Sequence, residues 1–103
     1  MDKIAALSEI LTADPANAFA RYGLAMEHAT QGNTDLALTE FATLIRHNPD
    51  YVPAYQMSAQ TLAKLGRTGE AIARLKEGLP IAQHTGNTHA ANEMQTLLDD
   101  LTA

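Results

Sequence analysis

Three side chains in the C-terminal part of the chain have the types that bind transition metals. His89 and Glu93 are four residues apart, so a helix would put them on one face, and a turn at Gly86 would bring His84 back toward them. The spacing is weak evidence, because any surface helix can contain such a pair, and an exposed polar turn is the better explanation of these residues. We therefore expect no metal site and no cofactor.

The other residues that could support catalysis are two adjacent carboxylates and two serines. Asp99 and Asp100 fall at the end of the last helical pattern, where a solvated helix end accounts for them. Ser8 and Ser58 are not in the strand–turn–helix setting that exposes a nucleophile, and the six glycines form no phosphate-binding loop. Cysteine is absent, which excludes thiolate chemistry. We expect a protein without enzymatic activity.

The composition is that of one acidic globular domain. Of the 103 residues, 46% are hydrophobic and 18% are charged, and the net charge of −5 argues against nucleic acid, which needs a basic face. No uncharged apolar run has the length of a membrane span, and the opening sequence MDKIAALSEI does not resemble a signal peptide. We expect a cytoplasmic protein that binds neither nucleic acid nor a membrane.

Residues with high helix propensity dominate the sequence, so we expect helices to position these side chains. The chain contains 19 Ala and 13 Leu, which head the helix-propensity ranking, and it lacks the dipeptides typical of β-hairpins. The pattern therefore predicts an all-α chain of about six helices. The predicted ranges are 2–13, 17–30, 35–47, 51–65, 69–82 and 88–101.

The sequence repeats with a period of 34 residues. Pro15 aligns with Pro49, and Gly32 aligns with Gly66. The alanines that keep the same period are Ala20, Ala25, Ala29 and Ala37, which align with Ala54, Ala59, Ala63 and Ala71. Since 34 residues is the length of a helix–turn–helix repeat unit, the chain is predicted to stack two helix pairs.

The repeated turn residues predict where the helices end. Gly32 and Gly66 supply the left-handed conformation that a short turn after the first helix of each pair needs. Thr34 and Thr68 follow two residues later, and we expect their hydroxyls to cap the second helices.

With these repeated residues, the chain resembles the tetratricopeptide repeat family. The matching residues are Leu24, Ala25, Gly32, Ala37, Phe41 and Pro49 in the first copy, and Tyr55, Ala59, Gly66, Ala71 and Leu75 in the second. The chain departs from the family pattern at Arg21, where a bulky residue is usual, and at His28, where an aromatic residue is usual. Gly78 replaces the second alanine, and Gln83 replaces the final proline. Pro80 lies inside the predicted fifth helix, so we expect a kink or break there that Gly78 would ease.

The resemblance implies an α-solenoid of antiparallel helix pairs in a single domain, 1–103. Residues 1–14 would form a leading half-repeat helix, 15–49 the first repeat, 50–83 the second repeat, and 86–103 a capping helix. The capping helix would bury one face and expose the other to solvent.

In the family, the first helix of each pair lines a concave surface that binds extended peptides or a partner helix. The positions that would line this surface here are Phe19, Tyr22, Met26, Thr30, Gln56, Gln60 and Lys64. Phe19, Tyr22 and Met26 share one helical stripe, and an alternative in which this stripe packs inside the fold stays open. Lys64 is the only charged residue of the set, at its rim.

The resemblance implies a protein-interaction module that binds a protein or peptide partner. The family members that grip a C-terminal carboxylate use Lys and Asn at two lining positions, and Tyr22 and Met26 offer no such cationic pair. The alternative function is structural self-assembly as a homodimer, because two repeats are fewer than the three or so usually needed for independent stability.

Overall fold

The computed structural model describes residues 2–103, and all regular secondary structure in this range is helical. The helices are α1 (Lys3–Ala13), α2 (Ala18–Thr30), α3 (Thr34–His47), α4 (Val52–Lys64), α5 (Thr68–His84) and α6 (Thr88–Thr102). The prediction of an all-α chain with six helices is confirmed. Each predicted helix end lies within two residues of the observed one.

The first three helices form one compact unit, which ends at Tyr51. Helix α2 packs against both α1 and α3. The apolar side chains that join α1 to α2 are Leu11, Ala20 and Leu24, with the half-buried Ile4 and Leu7 against them. Helix α2 is therefore the central element of this unit.

An arginine fixes α2 to α3 in the same unit. The Arg21 guanidinium donates from Nη1 to Glu40 Oε2 at 2.7 Å and from Nη2 to the Pro15 carbonyl oxygen at 2.8 Å. Only 14% of the Arg21 side chain is exposed, so the pair is well shielded from solvent. A charged anchor thus occupies the position where the family has a bulky residue.

The last three helices form the second compact unit, which begins at Val52. Helix α5 packs against α4 and α6, and α4 also meets α6 directly. The turns that join α4 to α5 and α5 to α6 are short, so consecutive helices are antiparallel and α4 and α6 run in the same direction.

Small residues lie where the helices pack most closely. Ala25, Ala37, Ala59 and Ala71 are fully buried, as the alignment of the two repeats predicts. Gly78 has the same function on α5, because a Cβ added there would lie 2.6 Å from Tyr55 Cβ and 3.2 Å from Met94 Sδ.

The expectation that α5 breaks at Pro80 is wrong. The helix is continuous from Thr68 to His84, and Pro80 is exposed. The solvent-facing ring costs α5 the backbone hydrogen bond to Lys76 without ending the helix. Close packing against α4 and α6 explains the glycine at position 78.

The predicted glycine turns are confirmed, and a third turn of the same kind follows α5. Gly32, Gly66 and Gly86 have φ angles of 82°, 76° and 76°. In each turn, the N–H of the residue after the glycine donates to a carbonyl five residues earlier; the Asn33 N–H reaches the His28 carbonyl at 2.8 Å. This hydrogen bond closes the helix end in the manner of a Schellman motif.

The prediction that Thr34 and Thr68 are N-caps is wrong. Both threonines are the first residues of their helices, and the N-cap positions belong to Asn33 and Arg67. Neither N-cap side chain accepts a hydrogen bond from the helix. The glycine turn holds these residues by their backbone N–H groups, so a side-chain cap is not required to start the helix.

Candidate functional site

A groove lies between α4 and α6 in the second unit. Its volume is about 590 Å³. The residues that line this α4–α6 groove are Gln60, Ala63 and Lys64 on α4, and His89, Asn92, Glu93, Thr96, Leu97 and Asp100 on α6. Most of these side chains are polar, and Ala63 and Leu97 supply apolar surface between them.

Helix α6 has one buried apolar face and a second face that lines the groove. The apolar residues Ala90, Ala91 and Met94 are buried on one side. The groove residues occur at intervals of three and four along the rest of the helix, which places them together on a second face. The Asn87 side chain accepts from the Ala90 N–H at 3.1 Å and caps the start of the helix.

The two walls of the groove carry opposite charges. Lys64 lies on the α4 wall, whereas Glu93 and Asp100 lie on the α6 wall. His89 Nε2 contacts Glu93 Oε1 at 2.5 Å, one turn along the helix. Among residues 2–103, neither Lys64 nor Asp100 has a hydrogen-bonding or ion-pair partner for its side chain.

The predicted stripe on α2 is only partly exposed. Phe19 has 79% of its surface exposed, whereas Tyr22 and Met26 are half-buried. Thr30 is exposed, and its hydroxyl donates to the Met26 carbonyl at 3.0 Å. The stripe therefore combines an exposed aromatic end with residues that also pack within the unit.

Tyr22 contacts two other aromatic side chains of its unit. Its ring centroid lies 6.2 Å from that of the fully buried Phe41 in an edge-to-face arrangement, and 5.6 Å from that of Tyr51. Burial raises the pKa of the Tyr22 hydroxyl above 10.0, and the nearby Tyr51 raises it further. These contacts give Tyr22 a packing function in addition to its position on the predicted surface.

The structure brings some of the seven predicted contact residues together and adds others. Gln60 and Lys64 share the α4–α6 groove, but Gln56 is a half-buried α4 residue outside the lining. The sequence interpretation missed the α6 wall, because it treated α6 only as a cap. Lys64 is the only charged residue among the seven predicted positions, and in this groove Glu93 and Asp100 lie on the wall opposite it.

The histidines do not assemble a metal site in the part of the chain described here. Within residues 2–103, no three His, Asp or Glu side chains are placed to hold one ion, so His84 does not join His89 and Glu93. The groove side chains offer hydrogen bonds, charges and a small apolar surface, which suit recognition of a peptide.

Over the same range, no helix has the length and apolar character needed to cross a bilayer.

Comparisons with known proteins identify the fold and the family. The family model described as tetratricopeptide repeat matches residues 28–97. A tetratricopeptide repeat domain protein from Salinibacter ruber, solved by NMR, is 33% identical over 85% of this chain and 89% of its own, with a TM-score of 0.80. No curated protein sequence is significantly similar to the chain.

Two more distant structures have the same fold. The TPR2B domain of yeast Sti1, in its pHsp70 complex, is 19% identical and matches 96% of this chain and 79% of its own, with a TM-score of 0.88. The type III secretion translocator chaperone SycD of Yersinia enterocolitica is 14% identical over 96% of this chain and 69% of its own, also with a TM-score of 0.88. Since the family model covers most of the sequence, this chain belongs to the tetratricopeptide repeat family.

Proposed function

We propose that the chain is a non-catalytic interaction module whose α4–α6 groove binds a peptide segment of a partner protein. Tetratricopeptide repeat domains are generally protein-interaction modules. The observation that carries the proposal is the open groove of about 590 Å³, whose floor and walls mix apolar and polar side chains. Ligand sites in proteins are typically concave and of this size.

Each wall contributes groups that suit a peptide. The amides of Gln60 on α4 and Asn92 on α6 can each donate to a peptide carbonyl and accept from a peptide N–H. Ala63 and Leu97 provide the apolar surface against which a partner side chain packs. The complex of the Sti1 TPR2B domain with pHsp70 supports this type of partner, since that domain shares the fold.

The first unit provides further proposed contacts on α2. Phe19 is the strongest candidate, because an aromatic ring with 79% of its surface exposed offers a large contact area to a partner. The proposed contact residues are Phe19, Tyr22, Met26 and Thr30 in the first unit, and Gln56, Gln60 and Lys64 in the second.

Filling the groove tests the proposal. Twelve-residue random peptides displayed on phage are selected against the full chain, and the enriched peptides are titrated against variants. Ala63→Phe places a large side chain on the groove surface and should abolish binding. Ala73→Phe makes the same change on an exposed position of α5 away from the groove and should leave the affinity unchanged.

Peptides that bind wild type and Ala63→Phe equally well would contradict the groove as the binding site. Circular dichroism melts of both variants verify that each one is folded. Sedimentation velocity over a hundredfold range of concentration tests the alternative of self-assembly, since a homodimer would give a sedimentation coefficient that rises with concentration.

A further inference from the structure

The cations of the second unit are unevenly distributed between its helices. Arg67 pairs with Glu70 at 2.7 Å, and Arg74 lies 3.7 Å from Glu77. Both arginines therefore have a carboxylate partner on α5. Helix α6 contains three carboxylates and neither Lys nor Arg. The α6 wall of the groove therefore carries the carboxylates Glu93 and Asp100 without a Lys or Arg on its own helix, and only Glu93 has a contact there, with the His89 imidazole.

The position of Asp100 along α6 makes its charge unfavourable in the free protein. The helix ends at Thr102, and the carbonyl groups of its last turn give that end a partial negative charge. An aspartate there is repelled by the helix end, whereas Lys64, which is the last residue of α4, is attracted to its own helix end. Lys64 thus has a stabilising environment, and Asp100 lacks one.

We infer that the segment bound in the α4–α6 groove is basic and places a Lys or Arg side chain against Asp100. The inference rests on the proposed function, and it adds the charge of the partner. A cation at this place would neutralise Asp100 and interact favourably with the negative end of α6 at the same time.

Glu93 would be the contact for a second cation of the partner, so its distance from Asp100 determines the spacing of the two cations. It lies seven residues before Asp100 on the same groove face, which corresponds to about 10.5 Å along the helix axis. An extended polyproline-type segment rises about 3.1 Å per residue and returns to the same side every third residue. Cationic residues three positions apart in such a segment therefore match the two carboxylates.

Three synthetic peptides serve as probes. They share one proline- and leucine-containing frame of twelve residues with blocked ends, and they carry Lys, Gln or Glu at two positions three residues apart. Binding to the full chain labelled with ¹⁵N is followed by NMR at low and at physiological salt. The Lys peptide should shift the resonances of Thr96 and Leu97 and bind about tenfold tighter than the Gln peptide at low salt, and the Glu peptide should bind more weakly still.

Two neighbouring aspartates provide the matched variants. Asp100 lines the groove, whereas Asp99 accepts a hydrogen bond from Gln95 Nε2 at 2.9 Å outside the lining. Asp100→Lys should weaken binding of the Lys peptide about tenfold, because an attraction becomes a repulsion. Asp99→Lys changes the net charge equally and should alter the affinity by less than about threefold. A lysine at either position favours the C-terminal end of α6, so unfolding does not explain a loss of binding.

The outcomes separate this inference from the proposed function. If the two variants have equal effects, or if the Gln or Glu peptide binds the same groove more tightly than the Lys peptide, the inference of a basic partner is wrong. The proposal that the groove binds a peptide would still stand. If no probe shifts the groove resonances and no phage-selected peptide depends on Ala63, both the inference and the proposed function fail.

Discussion

Substitution of Gly78 by alanine is the most direct test of how α5 packs in the second unit. In an ordinary helix interior, Gly→Ala stabilises by about 1 kcal/mol, because alanine has the higher helix propensity. Here the new Cβ would lie 2.6 Å from Tyr55 Cβ and 3.0 Å from Tyr55 Cγ. The Tyr55 Cβ is fixed to its backbone, so no side-chain rotation relieves the first contact, and α4 and α5 must move apart.

The expected magnitude follows from these opposing effects. Overpacking of a tight core costs about 3 kcal/mol at the upper end of its usual range, and the propensity gain of about 1 kcal/mol leaves a net loss near 2 kcal/mol. In a domain of this size, such a loss lowers Tm by about 10 °C. Urea denaturation followed by circular dichroism measures the change.

Gly69→Ala is the matched control on the same helix. A Cβ at position 69 would meet no atom within 4 Å, so this variant should be as stable as wild type or slightly more stable. If Gly78→Ala is no less stable than Gly69→Ala, the close approach of α4 and α5 at Gly78 is refuted.

Four further predictions concern Tyr22, Pro80 and Arg21. Tyr22→Ala should destabilise by about 2–3 kcal/mol in urea denaturation, because its half-buried ring contacts Phe41 and Tyr51, whereas Tyr22→Phe should cost less than about 1 kcal/mol. Because the pKa of Tyr22 is raised in the folded state, its contribution to stability is complete below pH 10.0 and is lost as the pH rises through the folded pKa, which a series of melts from pH 9 to 11.5 measures. Pro80→Ala should raise Tm, since the continuous helix regains a backbone hydrogen bond, and a lower Tm would contradict the continuous α5. Arg21→Ala should destabilise by about 2–4 kcal/mol, because Glu40 is left mostly buried without its partner, and the double variant with Glu40→Ala should recover part of this loss.

The 34-residue period predicts the helices of the two repeats and their small contact residues. Gly32 and Gly66 mark helix ends because only glycine adopts a positive φ without strain, and the alanines at 37 and 71 are buried because two helix backbones meet there. These features depend on local conformation or on a pattern repeated in the chain, so the sequence contains them directly.

Features that depend on a neighbouring helix were harder to predict. From the sequence alone, Gly78 is expected to ease a bend at Pro80, which is two residues away. The structure instead shows that Tyr55 on α4 leaves no room for a side chain at position 78. Likewise, Arg21 departs from the family pattern in the sequence alone, and only the structure brings it to Glu40 on α3. Neither partner is adjacent in sequence, so no local pattern identifies it.

The α6 wall was missed for a different reason, since its pattern was visible in the sequence. His89, Glu93, Thr96 and Asp100 are spaced by three and four residues, which places them on one face of a helix. A capping helix needs polar residues on its outer face. The same polar residues would be found there whether that face is surrounded by solvent or forms one side of a groove. The observation that distinguishes the two is the contact between α4 and α6, which turns a solvated face into one wall of a groove. For the proposed binding of a basic segment, this wall supplies Asp100 near the negative end of α6, a helix without Lys or Arg.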